Sequence, residues 1–304
     1  MKYLITGNRG FIGSHLQQQL KKEGHKVVGL DNNFHSCKNK VDGIIGDIRN
    51  EKLIDELVKE VDVVMHAAAI IHVDYSIKYP KETIDVNIGG TLNILEAVKK
   101  YNKRMVFAST SEVYGSSMLD IEGMDEYHQL DCQSPYGASK VAGDRLCKSY
   151  YETYGTKITI LRNFNTFGKF QNDTSYGGVI AIFTRAALTG KPMRIFGSGE
   201  QQRDYMCIED AIAGYKLCSE EKKLIGQVVN VGTGSTITIN NLARLIKDIS
   251  GSKSKIIHVA PRAGEVQRLC ADIQKAKSFG FQPITDFEKD LSSYINWYKK
   301  EMLK

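Results

Sequence analysis

Gly7, Gly10 and Gly13 stand at three-residue intervals between a short apolar run, Leu4-Ile5-Thr6, and a stretch opened by Phe11-Ile12 and Ser14-His15-Leu16 that has helical character to about Lys22. A strand, a glycine turn and a helix in that order leave few folds open. Parallel strands need helical crossovers, and glycines at the turn let backbone N–H groups approach a pyrophosphate at the positive end of the helix. A tight turn without a ligand would use the same residues. The second strand, Lys26-Val27-Val28-Gly29-Leu30, ends at Asp31, about where a dinucleotide fold puts the acid that bonds the adenosine ribose. A carboxylate there repels a 2′-phosphate and favours NAD over NADP. Arg9, inside the turn, offers the opposite charge, and the carboxylate is taken to prevail.

The rest of the first half repeats the alternation. Strands are expected at 43–47, 61–65, 105–108 and 158–161, and helices at 53–58, 83–100 and 134–154, the long one marked by Ile84, Ile88, Leu92, Leu95 and Val98. This predicts an α/β chain with a Rossmann-type doubly wound parallel sheet, covered on both faces, whose ligands lie at the carboxyl ends of the strands. Beyond Gly168 the pattern is mixed, with helices expected at 179–188, 239–249 and 286–298 and strands at 193–197 and 228–232. The expected division is residues 1–168 as an NAD-binding Rossmann domain and 169–304 as a smaller mixed α/β substrate domain. No Pro/Gly/Ser-rich linker separates the two, so chain crossovers back to the first domain are expected.

The net charge of +6 is spread along the chain, and no basic cluster interleaved with aromatics points to nucleic acid. No apolar run approaches the roughly 18 residues of a membrane span. The six cysteines are scattered without a C-x-x-C pair, so no metal site is expected. The opening residues do not resemble a signal peptide, and a cytoplasmic location is expected.

Tyr136 and Lys140 lie four residues apart, on one face of the expected helix. An ammonium near a phenol favours the phenolate, so the pair can make a base. Ser134 as N-cap and Pro135 at the first helical position describe a plain helix start equally well. The fifth strand delivers the hydroxyl run Ser109-Thr110-Ser111 and then Glu112 to the ligand end of the sheet, where a simple turn is the competing reading.

Taken in order, these stretches resemble the extended short-chain dehydrogenase/reductases, in particular the NAD-dependent nucleotide-sugar epimerase/dehydratase family that includes UDP-glucose 4-epimerase. The matching residues are Thr6-Gly7, Gly10-Phe11-Ile12-Gly13, Asp31-Asn32, Gly46-Asp47-Ile48, His66-Ala67-Ala68, Asn87 with Gly90-Thr91, Ser109-Thr110, Tyr136 to Lys140, Asn165, Arg203-Asp204-Tyr205, Asn230-Val231-Gly232 and Arg262 with Gly264-Glu265. The resemblance implies NAD as cofactor. Gly7, Gly10 and Gly13 would meet its pyrophosphate, Asp31 its adenosine ribose, and Asp47 and Ile48 its adenine, with Phe11, Ile12, Asn32, Ala67, Ala68 and Asn87 also in the cofactor site. Lys140 would bond the nicotinamide ribose and tune Tyr136. Thr110, Ser111 and Glu112 would face the sugar, Asn165, Arg203 and Arg262 the nucleotide diphosphate, and Leu269 the sugar C2 group. A homodimer built on the helices 83–100 and 136–154 is also implied.

The implied activity is that of a 4-epimerase acting on a nucleotide sugar, a UDP-hexose first, through a transient 4-keto sugar, with Thr110, Tyr136 and Lys140 as catalytic residues. Dehydratases of the group show Thr-Asp-Glu where this chain has Thr110-Ser111-Glu112, and UDP-glucuronate decarboxylases share the stretch from Ser109 to Gly115 but usually carry Tyr-Asp-Glu-Gly-Lys around the base. A 4,6-dehydratase or a decarboxylase is therefore the alternative, and a non-catalytic NAD or nucleotide-sugar-binding protein is the reading of another class.

Overall fold

In the computed structural model, which describes residues 1–34, 36–116, 123–174, 177–262 and 264–303, strands and helices alternate through the first half of the chain. β1 (Lys2–Thr6) leads through α1 (Phe11–Lys22) to β2 (Lys26–Asp31) and the short β3 (Ile44–Ile45), and α2 (Glu51–Lys59) returns the chain to β4 (Val63–His66). Then come α3 (Val73–Lys78), α4 (Pro80–Ile84), α5 (Thr91–Lys100), β5 (Arg104–Thr110), α6 (Pro135–Tyr154) and β6 (Lys157–Asn163). The helix expected over 83–100 is α4 and α5 joined without a break by a π-helical segment, Asp85–Gly90.

The second half begins with β7 (Asn165–Phe167), α7 (Val179–Leu188), β8 (Met193–Phe196), β9 (Gln202–Arg203) and β10 (Tyr205–Cys207). It continues with α8 (Ile208–Glu220), β11 (Val228–Val231), β12 (Ile237–Thr238), α9 (Ile239–Ser250), β13 (Ile256–Val259), β14 (Arg268–Leu269), α10 (Gln274–Ser278) and α11 (Phe287–Glu301).

Seven strands form one sheet in the order β3-β2-β1-β4-β5-β6-β11, and every pairing in it is parallel. The chain runs outward from β1 to β3, then crosses to β4 and runs outward on the other side. The strand order therefore reverses between β1 and β4, which opens a crevice at their carboxyl ends. Side-chain alternation along β1 explains why both faces are covered: Tyr3 and Ile5 enter a core with Leu16 and Leu20 of α1 and Ile212 and Tyr215 of α8, whereas Leu4 enters a second core with Ile54 of α2, Ile94 of α5 and Cys147 of α6. α8 and β11 thus come back from the second half of the sequence to complete the sheet layer. A third core holds α7, α9 and α11 together over β8, with Phe183, Leu242, Ile246 and Tyr294 fully or nearly buried.

Candidate active site

A cavity of about 920 Å³ follows the carboxyl ends of β1, β2, β4 and β5 and continues beneath the second-half elements. Its wall includes Gly7, Gly10, Phe11, Ile12, Gly13, Asp31, Asn32, Ile48, Ala67 and Ala68 at one end. Thr110, Ser111, Glu112, Tyr136 and Lys140 lie on the wall as well, together with Asn165, Arg203 and Arg262. Residues spread over 250 positions of sequence therefore share one space, because the parallel sheet turns every loop that follows a strand toward the same edge.

The turn after β1 leaves room for a ligand by having no side chains. A Cβ on Gly13 would stand 2.1 Å from the Gly7 carbonyl oxygen, and one on Gly7, whose φ is +74°, would stand 2.8 Å from the Ala68 nitrogen. Backbone is therefore packed on backbone at the start of α1, which leaves the wall of the helix N-terminus open to a pyrophosphate. Beside it the Asp31 carboxylate accepts hydrogen bonds from the backbone N–H groups of Asn33 at 2.6 Å and Arg9 at 3.1 Å. Burial raises its pKa, and those two N–H groups act against the rise. An acid fixed in this way faces the cavity with acceptor capacity left for ribose hydroxyls. The Arg9 guanidinium turns aside to Asn33 Oδ1 at 2.7 Å. The cradle and the acid fit NAD. Gly13→Ala is expected to purify without NAD and to bind added NAD about 100-fold more weakly, because the clash is with rigid backbone. Unchanged affinity in a fluorescence titration would show that the turn yields.

β5 ends at Thr110, whose hydroxyl accepts the Glu112 N–H at 3.2 Å and so starts a single turn of 3₁₀ helix, Ser111–Val113. α6 starts opposite, with Ser134 Oγ accepting the Gly137 N–H at 3.1 Å and Pro135 in the first turn. The helix and the strand end are close enough for the Tyr136 phenol to hydrogen-bond Thr110. Lys140, one turn further on, holds its Nζ 4.3 Å from the centre of the Phe107 ring.

Burial governs the charges of these groups. It pushes the Tyr136 phenol above its ordinary value, with the Glu112 carboxylate adding to the rise and the Thr110 hydrogen bond opposing it. The same desolvation pulls Lys140 down to about 8. The helical spacing thus brings the two groups to one cavity, but the expected lowering of the phenol is not what the free site shows: desolvation dominates, and the phenol keeps its proton. Glu112 is raised by burial too, while the nearby Arg203 guanidinium lowers it and Glu265 raises it. Arg203 Nη2 itself lies 3.3 Å from Glu265 Oε1.

Three predicted site residues stand away from the cavity wall. Asp47 is held by Arg49, which meets it through Nη2 at 2.8 Å and Nε at 3.0 Å, and it is Arg49 that lines the cavity. Asn87 is buried behind the wall and clamps it: its side chain accepts the Ile70 N–H at 2.7 Å and donates to the Ile70 carbonyl at 2.9 Å and to Ser139 Oγ at 2.8 Å. Leu269 is fully buried in a small core with Val113, Tyr114, Phe164 and Val266, and of these Phe164 and Val266 reach the cavity.

The wall also contains residues that no motif marked. Phe34 and Tyr75 meet edge to face at 5.4 Å. Arg262 lies 3.8 Å over the Phe196 ring and 3.8 Å from the Asp74 carboxylate. Phe34 and Tyr75 come from loop and helix segments without periodic signal; Phe196 sits at the end of an expected strand, which is the one feature that pointed toward it. Among the described residues no group of three or more His, Cys, Asp or Glu is placed to hold a metal ion, and no helix is long and apolar enough to cross a membrane.

Residues 3–232 match the profile of the NAD dependent epimerase/dehydratase family. A putative UDP-glucose 4-epimerase of Methanocaldococcus jannaschii is 37% identical over 97% of this chain and 98% of its own. A UDP-N-acetyl-alpha-D-glucosaminuronate decarboxylase of Bacillus cytotoxicus is 35% identical over 98% of this chain and 97% of its own. Among solved structures, the UDP-glucose 4-epimerase of Thermus thermophilus in complex with NAD superposes with a TM-score of 0.92 at 29% identity, covering 99% of this chain and 100% of that one.

Proposed function

The chain belongs to the NAD-dependent epimerase/dehydratase family, and on that premise we propose that it is a nucleotide-sugar 4-epimerase, with a UDP-hexose as first candidate, working through a transient 4-keto sugar. The observation that supports this most is that Thr110, Tyr136 and Lys140 line the same wall of the cavity, with Lys140 one helical turn from Tyr136. The glycine turn and Asp31 would hold NAD, which would supply the hydride-transfer chemistry and a positive charge at the site.

The chain's own residues handle the proton. Tyr136 accepts the C4 hydroxyl proton and later returns it, and Thr110 orients the reacting oxygen. A phenol raised by burial needs positive charge beside it to act as a base near neutrality, and below about pH 8 the Lys140 ammonium provides part of it. Arg203 and Arg262 offer forked donors to the diphosphate, the first leaving Glu265 and the second Asp74 to do so. Residues 1–168 hold the cofactor with the help of the returning α8 and β11, and the remainder of 169–304 holds the nucleotide sugar.

A second reading, dehydration or decarboxylation of the same keto sugar, is favoured by Glu112, a carboxyl buried in the cavity with its pKa raised. Incubating the protein with UDP-, dTDP-, GDP- and CDP-sugars and identifying products by NMR separates the outcomes. C4 inversion supports the epimerase, loss of water or carbon dioxide the second reading, and no turnover with no cofactor reduction a binding protein. Glu112→Gln is expected to lower turnover by no more than about tenfold; a loss of the 10²–10⁴ typical of a general acid or base would transfer the assignment to the second reading.

The same reading predicts a cytoplasmic homodimer. Ile84 of α4, Leu92 of α5 and Tyr154 of α6 are apolar or aromatic side chains exposed along the helices concerned. Sedimentation at micromolar concentration should give twice the chain mass, and a monomer there rejects the pairing.

A further inference from the structure

A buried polar network lies directly behind the wall that carries Thr110, Tyr136 and Lys140. Ser109, Arg162 and Asn230 stand side by side in register at the carboxyl ends of β5, β6 and β11. The Asp144 carboxylate reaches down from α6, accepting from Ser109 Oγ at 3.0 Å and from Arg162 Nε at 2.8 Å. Arg162 Nη1 then donates to the Tyr114 hydroxyl at 3.0 Å and to the Glu126 carbonyl at 3.1 Å. The Tyr114 hydroxyl in turn donates a hydrogen bond to Asn230 Oδ1 at 2.6 Å. Asp144 and Arg162 are each 2% exposed.

Stability alone does not account for such a pair. Charges removed from water lose much of their solvation, and well-packed apolar residues of similar volume are often as stable or more so. What a buried, fully bonded pair gives is a fixed geometry. Here it fixes the two halves of the reacting site. Ser109 is the residue before Thr110, Tyr114 closes the 3₁₀ turn that carries Glu112, and Asp144 lies one helical turn beyond Lys140 and two beyond Tyr136.

We infer that Asp144 and Arg162 are positioning residues, a brace that sets the strand end bearing Thr110 against the helix face bearing Tyr136 and Lys140. The inference rests on the reading of Tyr136 and Lys140 as the reacting pair. The brace has a second effect, on charge. Around Lys140 stand Asp144 and Cys147 from its own helix, the Phe107 ring from β5 and His66 from β4. His66 is held neutral, its pKa pulled down to about 3 by burial, and burial keeps the Cys147 thiol protonated. Of these groups Cys147 and then Asp144 favour the Lys140 ammonium, and Asp144, ion-paired with Arg162 at 2.8 Å, is the charged one.

Two variants of the holoenzyme separate the parts of the brace. Arg162→Lys can keep a charge beside Asp144 but loses the reach to Tyr114 and the Glu126 carbonyl, so kcat is expected to fall roughly tenfold with KM within about threefold and NAD content unchanged. Asp144→Asn is expected to lower kcat at least as much and, in addition, to lower by roughly one unit the pH at which Lys140 becomes reactive to acetic anhydride, followed by peptide mass spectrometry in competitive labelling. Arg162→Lys should leave that pH unmoved. If both variants fold with NAD bound and keep the wild-type kcat and labelling pH, the brace is rejected. If the wild type turns over no sugar, the reading of the reaction fails by itself, and backbone amide hydrogen exchange decides the brace: exchange at the end of β5 and the start of α6 should quicken in Arg162→Lys, and unchanged exchange there rejects it. Should Asp144→Asn not fold, Asp144→Glu takes its place, with the same kcat loss expected from the displaced carboxylate and wild-type kcat again rejecting the inference.

Discussion

Tyr136→Phe should keep the bound cofactor and lose turnover by about 10²–10⁴-fold, the contribution usual for a positioned general acid or base. The substitution removes one oxygen from a side chain whose ring is buried and whose backbone N–H is already held by Ser76 Oγ at 3.1 Å, so the start of α6 has no reason to move. What is lost is the hydroxyl that Thr110 engages and the only atom of that side chain able to take a proton. KM should change little, because the interaction matters mainly where charge develops on the sugar oxygen. Retention of more than a tenth of wild-type turnover would remove Tyr136 from the chemistry. A loss of NAD together with activity would instead assign it to binding.

Much of this arrangement is legible in the sequence because it depends on local rules. Glycines that pack backbone on backbone, as Gly13 does on Gly7, cannot be replaced by residues with side chains, so the turn after β1 announces itself. The alternation of short apolar runs with amphipathic stretches is enough to give the parallel sheet, and the sheet puts Asp31, Ala67 and Thr110 at one edge.

What could not be read depends on side-chain direction and on desolvation. Asp47 is two residues before Arg49 in sequence, yet nothing local shows that the guanidinium folds back onto it and takes its place at the cavity. Asn87 sits on a π-helical segment, where the usual helical register does not predict which wall a side chain meets; it bonds Ile70 and Ser139. Leu269 is placed by a two-residue strand paired with β9, too short for any periodic signal. The proton affinity of Tyr136 did not follow from spacing: four residues bring Lys140 to the same cavity, but the depth of burial, which no spacing encodes, turns the shift upward instead of down.

The same burial makes Lys140→Met an experiment with two opposite outcomes. Turnover should fall by about 10²-fold or more, since the ammonium that supports Tyr136 is gone. Stability should rise. In the cofactor-free protein the Lys140 pKa lies near 8 against an ordinary 10.5, so the folded state releases a proton more readily than the unfolded chain does. Each unit of that gap corresponds to about 1.36 kcal/mol, which makes the charged lysine cost about 3 kcal/mol at neutral pH. The sign follows from proton binding: between pH 8 and 10.5 the unfolded chain binds more protons at this site than the folded one, so stability due to Lys140 increases with pH through that window, and the cost is present in full below it. Methionine, of similar length and without charge, removes the cost and keeps contact with Phe107. Urea unfolding should therefore show Lys140→Met more stable than wild type by about 3 kcal/mol at pH 7 and by much less at pH 10. Equal stability at pH 7 would mean that water or a rearranged side chain solvates the ammonium, and the lysine would then be free to hold its charge well above pH 8. A variant that is more stable and nearly inactive would identify Lys140 as a residue the fold tolerates for the sake of the chemistry, because its charge is expensive where it stands and useful only to the phenol one turn before it.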